Sequence, residues 1–540
     1  MTTITADFDV RSAQQSVFAA LLEARGKYGG KREIIHDADD RKLTYNDLVQ
    51  ASFALGSALR KGTKSGEAVG VLLPTGAGAV IAFFALNAFG RVPAMLNFTA
   101  GARNLKAAFK AGQIKTVVTA HRFIDVGGLD DLVSQLEDEV DFVYLEDVRE
   151  NLGLRDKLAG GLGPLMPWVF RAKPSHNAAG VILFTSGTEG DPKGVVLSHV
   201  NVVANVKQIL AHVPDALTTD DTVFNPLPTF HCFGLTAGAL LPLFGGMKAV
   251  FHPSPLHVKE IPKRIEDTKS TLLFATDTFL SQYVRASSGE ELSKLRFAIC
   301  GAERVRDETR QLVKRKCELE ILEGYGATEA SPVLAVNQPG ANRPGTVGRA
   351  LPGLELFFEP VPGINSAGRM KVRGPNVMSG YLQIDKPGVI QPLDGGWHDT
   401  GDVVSRDDEG YLTIRGRIKR FAKIGGEMVS LAVVENCASA VWPDHDHAAA
   451  SIPDPRKGEQ IVLLSTNAEA DRSELVAWAQ THGVSELSLP RKIYHVDEVP
   501  VLGTGKMDLG GIQRLAAELS APKPEITAEA SEDAQATTDS

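Results

Sequence analysis

Apolar positions along the chain keep switching between a helical and a strand period. Behind Thr44, a residue suited to an N-cap, they recur every three to four residues as far as Leu59, which predicts a helix. Ala68–Leu73 is a short apolar run that reads as a strand, and a helical pattern follows it to Phe89. Ala94–Phe98, just after Pro93, and Thr116–Thr119 are further short strands. Such alternation predicts an open, largely parallel sheet with helices on both faces. From residue 178 it continues to about 416, with Val181–Phe184, Thr271–Ala275 and Leu295–Cys300 as the clearest strands and Ser198 capping a helix over His199–His212. Beyond Gly345 the pattern turns to short strands between Gly and Pro turns, a small β-rich subdomain.

A dense basic run, Arg415–Lys423, marks a boundary. After it Ile461–Ser465 and Ser473–Gln480 supply strand and helix signals for a separate α+β unit. The expected fold is therefore α/β: a large N-terminal domain, 1–416, of layered α/β subdomains plus a β-rich subdomain, and a small mobile α+β domain, 417–515. The remainder, 516–540, is rich in Ala, Glu, Ser and Thr without apolar periodicity and reads as a disordered tail.

Totals narrow the classes. A chain of 540 residues exceeds one core and predicts two or three domains. Its 43% hydrophobic and 23% charged content is that of an ordinary globular protein, and its net charge of −9 argues against a general nucleic-acid binder. Cys232, Cys300, Cys317 and Cys437 are scattered without a C-x-x-C pair, which suits a reducing compartment. The opening Met1–Asp7 lacks a basic segment followed by an apolar core, so a cytoplasmic protein without a signal peptide is expected. No apolar run reaches the length that spans a bilayer. Ala77–Phe89 reads as a buried helix, whereas Leu158–Phe170, with Trp168 and flanking Lys157, Arg171 and Lys173, has the pattern of a peripheral membrane contact. A loop packed on its own domain is the competing reading of that segment.

Candidate chemistry centres on Val181–Gly194, Val-Ile-Leu-Phe-Thr-Ser-Gly-Thr-Glu-Gly-Asp-Pro-Lys-Gly. Glycines let backbone approach an anion, hydroxyls and N–H groups donate, and Lys193 adds charge, so the segment reads as a phosphate cradle. Its spacing is not that of the G-x-x-x-x-G-K-[ST] loop. Six short strings follow in order: Phe230-His-Cys-Phe-Gly234, Cys300-Gly-Ala-Glu303, Gly324-Tyr-Gly-Ala-Thr-Glu329, Trp397-His-Asp-Thr-Gly-Asp402, Gly416-Arg417 and Gly503-Thr-Gly-Lys506. Together with the cradle they resemble the adenylate-forming (AMP-binding, acyl-CoA synthetase-like) superfamily over about residues 40 to 515. Within it the likeness is greatest to the acyl–acyl-carrier-protein (ACP) synthetase half of the bacterial bifunctional enzyme that recycles lysophosphatidylethanolamine. Arg417–Leu431, Leu322-Glu-Gly-Tyr-Gly326, Tyr144–Asp147, Pro253–His257 and His482–Leu487 carry that likeness. No histidine has Asp five positions on, so the H-x-x-x-x-D pair of the acyltransferase half is missing and only the activating half is expected.

The resemblance implies ATP-dependent conversion of a fatty acid, expected to be long-chain, to acyl-AMP and pyrophosphate, with Mg²⁺, and then transfer to a thiol. Thr185, Ser186, Gly187, Thr188, Gly190, Lys193 and Gly194 would hold the β- and γ-phosphates. Thr328 would meet the α-phosphate and Glu329 the Mg²⁺, while Gly301, Ala302, Glu303, Gly324, Tyr325 and Gly326 would line the adenine slot. Asp402 would accept the ribose hydroxyls with Arg417 in support, and Lys506 would neutralise charge between carboxylate and α-phosphate. Lys419 would be the hinge about which the small domain turns, bringing Gly425, Gly426 and Glu427 to a pantetheine channel gated by His231. Phe230, Phe233, Gly234 and Leu235 would line the acyl tunnel. The acceptor would be the phosphopantetheine of an acidic ACP, met by Arg415, Arg420, Lys423, Arg456, Lys457, Arg491 and Lys492, or alternatively coenzyme A. Two positions depart from the common family pattern: Leu509 stands where Arg is frequent, and Lys419 where many relatives have Asp.

Overall fold

The computed structural model describes residues 2–185, 191–362, 364–424, 427–454, 458–482, 484–501 and 507–521. Two compact units divide the chain, one of residues 1–419 and one beginning at Arg420. In the first, the elements around the site and its flank are, in chain order, α1 (Tyr45–Leu59), α2 (Leu154–Leu162), α3 (Pro167–Phe170), β1 (Ala179–Thr185), β2 (Lys193–Ser198), α4 (His199–His212), β3 (Phe297–Cys300), β4 (Glu320–Gly326), β5 (Gly380–Gln383), β6 (His398–Arg406) and β7 (Leu412–Arg417).

Three sheets build this unit. An eight-stranded sheet runs Lys386–Gln391, β5, β2, β1, Val92–Met95, Ala68–Val71, Thr116–Thr119, Asp141–Tyr144. Its strands from β1 to Asp141–Tyr144 pair in parallel, whereas β2 and β5 are antiparallel additions. A nine-stranded sheet contains β4, β3, Leu272–Ala275, Thr222–Asn225, Lys248–Phe251 and Glu33–His36 as successive parallel neighbours. A five-stranded antiparallel sheet ends in β6 and β7 and supplies the β-rich part expected after Gly345.

Local signals explain the helix starts. The Thr44 hydroxyl accepts the Asp47 N–H at 3.2 Å while the Asp47 carboxylate accepts the Thr44 N–H at 2.8 Å, a reciprocal cap worth about 1 kcal/mol. Ser198 and Asn201 make the same exchange at the head of α4, at 3.2 and 2.8 Å. The expected strand at Ala94–Phe98 is displaced to Val92–Met95. Asn97 ends it, because its side chain accepts the Thr99 N–H at 2.9 Å and turns the chain. Val195–Leu197, between the cradle and the Ser198 cap, is the middle of β2.

Helix Ala77–Ala88 is buried all round, as its unbroken apolar run requires, and Phe83 and Phe84 lie fully inside the main core. Polar residues of α4 are buried with their partners. Asn205 exchanges hydrogen bonds with the Val333 backbone at 2.8 and 3.1 Å, and Gln208 donates to the Pro352 carbonyl at 2.7 Å.

The second unit is a five-stranded sheet with a core on each face. Alternation along Gly458–Ser465 assigns Ile461 and Leu463 to one face and Val462 and Leu464 to the other. Helices Leu431–Val441 and Arg472–His482 cover the first face through Val434 and Leu475, and Leu509–Ser520 covers the second through Ile512 and Ala516. Arg420 is paired with Glu435 at 2.5 Å, both side chains mostly withdrawn from water.

Candidate active site

The cradle connects two antiparallel strands. Thr185 at the end of β1 and Lys193 at the start of β2 are cross-strand partners, so both chain ends are fixed by sheet register. Ser186, Gly187, Thr188 and Gly190 lie outside the described residues. Gly194 is required by packing: a Cβ there would stand 3.1 Å from Phe184, 3.2 Å from Ile182 and 3.3 Å from Leu382. Its absence lets β5 close on β2, with Tyr381 opposite Val195.

That pairing creates a contact the motifs did not announce. The Lys193 ammonium stands 5.3 Å from the Tyr381 ring centroid, and the Tyr381 hydroxyl donates to Glu329 Oε1 at 2.7 Å. Glu329 belongs to the short turn Thr328–Ala330 that follows β4, and its carbonyl is fixed by the Met378 N–H at 2.8 Å. Burial, reinforced by the Glu329 charge, pushes the Tyr381 hydroxyl far above its ordinary pKa, so it stays a donor.

Four residues before Glu329, on β4, Tyr325 donates its hydroxyl to Asp402 Oδ2 at 2.5 Å. Asp402 on β6 faces Arg417 on β7 as its cross-strand partner, and Arg417 Nε lies 3.2 Å from Oδ1. Asp402 is buried while Arg417 is 60% exposed, so solvent weakens their attraction. Burial raises the Asp402 pKa against the opposing pull of Arg417 and Tyr325. Burial likewise drives the Tyr325 hydroxyl well up, with the Asp402 charge adding to it. His398, at the start of β6, is buried and held below its usual pKa by that burial, against the combined pull of Glu329, Asp399 and Asp402. Tyr381 and His398 are the site's unforeseen members. His398 stood inside a quoted string, but nothing in the sequence marked Tyr381.

Gly301 follows β3, and a Cβ there would sit 3.4 Å from the Phe233 ring and 3.6 Å from the Gly324 carbonyl, which brings these three residues together. Ala302 occupies the left-handed region at φ 69°. Glu303 is engaged elsewhere: its carboxylate accepts the Thr278 N–H at 3.1 Å and hydroxyl at 2.9 Å. Gly326 is also a steric necessity, since a Cβ would fall 2.3 Å from the Pro332 carbonyl oxygen.

Phe230 packs edge-on against Phe98 at 5.1 Å and is tilted towards His231 at 4.8 Å. Phe233 opens a π-helix, Phe233–Leu240, and meets Phe274 at 5.6 Å. Leu235 lies in the main core, and Gly234 is there because a Cβ would come 2.3 Å from the Pro228 carbonyl oxygen. Lys419 ends the first unit's long continuous stretch, and Arg420 opens the second unit. Gly425, Gly426, Arg456, Lys457 and Lys506 lie outside the described residues, as does the side chain of Glu427.

Glu329 offers a hard oxygen donor already oriented by Tyr381, which fits Mg²⁺ completed by phosphate oxygens. Among the described residues, a group of three possible metal ligands also occurs at His252, His257 and Glu260, where His252 Nε2 and His257 Nδ1 are 3.0 Å apart and hydrogen-bonded.

A three-sheet α/β body carrying these carboxylates, joined in one chain to a small α+β unit, is the architecture of an adenylate-forming enzyme. The chain belongs to the AMP-binding enzyme family, which matches residues 22–382. It is 26% identical over 504 residues to the long-chain-fatty-acid–CoA ligase of Bacillus subtilis (strain 168), covering 86% of this chain and 89% of that protein. Feruloyl-CoA synthase of Amycolatopsis sp. is 29% identical over 495 residues, 87% of this chain and 94% of that one. ATP-bound MatB from Rhodopseudomonas palustris shares the fold at a TM-score of 0.80 and 22% identity, covering 94% of this chain and 99% of that one.

Proposed function

We propose that the protein uses ATP to activate a long-chain fatty acid as acyl-AMP, releasing pyrophosphate, and then passes the acyl group to the phosphopantetheine thiol of an acyl-carrier protein. The observation that carries the activation step is the joined set Lys193–Tyr381–Glu329 and Tyr325–Asp402–Arg417, two groups placed four residues apart on the β4 segment. In this reading Thr185, Lys193 and the cradle hold the outer phosphates, Thr328 meets the α-phosphate, and Asp402 with Arg417 holds the ribose. Tyr325, between Gly324 and Gly326, faces adenine. Mg²⁺ bound at Glu329 supplies neutralisation of phosphate charge.

A carboxylate is a poor acyl donor because its leaving group is poor, and the mixed anhydride removes that obstacle. The chemistry then turns on placing positive charge where negative charge develops. Lys506 is assigned to the attacking carboxylate and α-phosphate, Lys419 to the hinge, and Gly425, Gly426 and Glu427 to the channel for the incoming thiol. His231 gates that channel, and Phe230, Phe233, Gly234 and Leu235 belong to the acyl tunnel. Work on a long-chain acid places the enzyme where that acid resides, so peripheral contact with a bilayer surface is part of the reading.

The carrier-protein acceptor is supported by the resemblance of Arg417–Leu431 and by the exposed Arg415 and Lys423 beside and within that stretch of chain. Coenzyme A is the second reading, favoured by curated relatives that are themselves CoA ligases. Purified protein supplied with ATP, Mg²⁺ and labelled palmitate should release pyrophosphate and label reduced holo-ACP. Labelling of coenzyme A alone would replace the first acceptor by the second, and no pyrophosphate with any fatty acid would refute the activation step.

A further inference from the structure

Helix α2 is mounted on the molecule inside out. A surface helix normally buries its leucines and exposes its charges. Here the face against α1 consists of Asp156, Ala159 and Gly160, all buried. Gly160 permits the close approach, since a Cβ there would be 3.1 Å from the Ala54 Cβ and 3.4 Å from the Gln50 carbonyl. Asp156 accepts the Ser57 hydroxyl at 2.9 Å, the Lys61 ammonium at 2.5 Å and the Gly153 N–H at 3.0 Å. A charged anchor and two small residues therefore hold the helix down, and Leu154, Leu158 and Leu162, spaced four apart, face water.

The next turn continues the display. Leu165, Met166, Trp168 and Val169 are exposed, while Phe170 is pinned against Phe53 at 6.2 Å and the Pro164 carbonyl accepts from Arg25 at 2.7 Å. Seven of the fifteen large apolar side chains exposed among the described residues thus fall within 154–169, too tight a cluster for scattered surface residues. Over 154–173 the cations are Arg155, Lys157, Arg171 and Lys173, and the one acid, Asp156, is buried and neutralised by Lys61. A chain of net charge −9 thus carries a cationic apolar face here.

We propose that residues 154–173 dock the protein on the surface of an anionic phospholipid bilayer. Leucines and Trp168 would enter the headgroup–acyl boundary, and the flanking Lys and Arg would reach the phosphates with their stems lying along the apolar layer. A second copy of the chain is a poorer occupant, because a twofold contact through this face sets its four cations against their own images. The proposal deepens the membrane contact in the functional reading but does not depend on ATP chemistry.

Full-length protein should co-float with vesicles of phosphatidylethanolamine and phosphatidylglycerol and float far less with pure phosphatidylcholine. The double variant Leu165→Glu/Trp168→Glu, and separately Lys157→Glu/Lys173→Glu, should each lower the bound fraction at least about tenfold. Both should keep the wild-type melting temperature and the wild-type adenylation rate on a short, water-soluble acid. Failure of the wild type to float with anionic vesicles, binding unchanged in both variants, or a dimer in solution that these substitutions dissociate would each overturn the proposal. A protein that floats but never releases pyrophosphate would instead refute the functional reading and leave the docking surface standing.

Discussion

Replacing Tyr381 by Phe removes one oxygen atom and isolates what the Tyr381–Glu329 contact does. The hydroxyl donates to the carboxylate at 2.7 Å, and its raised pKa keeps the proton in place throughout the working range. A hydrogen bond to a charged acceptor contributes about 1.5–3 kcal/mol, which becomes roughly a 10- to 150-fold loss in rate if the bond matters fully in the adenylation transition state. The ring survives the substitution, so the Lys193 ammonium 5.3 Å from its centroid keeps its partner, and the β5–β2 pairing does not involve the hydroxyl. The loss should therefore appear in fatty-acid-dependent exchange of labelled pyrophosphate into ATP, while the melting temperature stays near wild type. Exchange within about twofold of wild type would show that Glu329 is positioned without Tyr381, and a collapsed melting temperature would make the contact structural.

Asp402→Asn should weaken ATP binding at least about tenfold while leaving the unliganded fold as stable as before or more so, because burial disfavours the ionised carboxylate there; differential scanning calorimetry beside ATP titration checks both halves. His199 is pushed down from 6.5 to about 4 by burial, and its Nδ1 accepts the Val17 N–H at 3.3 Å. Between about pH 4 and 6.5 the unfolded chain holds a proton that the native one lacks, so this stability is full above 6.5 and is lost as pH falls towards 4. The loss is about 3 kcal/mol, and His199→Gln should flatten that part of the stability–pH curve in urea titrations. Lys506→Ala should abolish acyl-AMP formation and spare thiol acylation from supplied acyl-AMP; equal loss of both half-reactions would refute its assigned role.

What could be read from sequence was what adjacent residues decide among themselves. The Thr44 and Ser198 caps, the buried helix that begins at Ala77 and the strand signal at Ile461–Ser465 are settled within a few residues of chain. Tyr381 could not be read, because its importance arises from a strand pairing between β5 and β2 nearly two hundred residues apart in sequence. Glu303 carries a contact its recognisable string did not announce: its carboxylate accepts the Thr278 N–H near the head of the helix beginning at Asp277. The segment 158–170 was ambiguous because periodicity locates an apolar stripe but not the side on which it faces, and Gly160 and Asp156 turn the stripe outward.

The two tyrosines also explain how a site built on two carboxyl side chains can stay intact before substrate arrives. Tyr381, from the eight-stranded sheet, holds Glu329 on the turn after β4 of the nine-stranded sheet, and Tyr325 of β4 holds Asp402 of the five-stranded sheet. All three sheets are thereby tied at the carboxylates themselves. A lysine or arginine in either place would satisfy the same oxygens, but it would also neutralise them and compete with a cation or a ribose for their charge. A phenol whose pKa is driven up by burial donates a proton it never surrenders, so each carboxylate is positioned by a group that brings no charge of its own. Arg417, the cation paired with Asp402, is mostly in water, where its hold on Asp402 is weak enough to be exchanged.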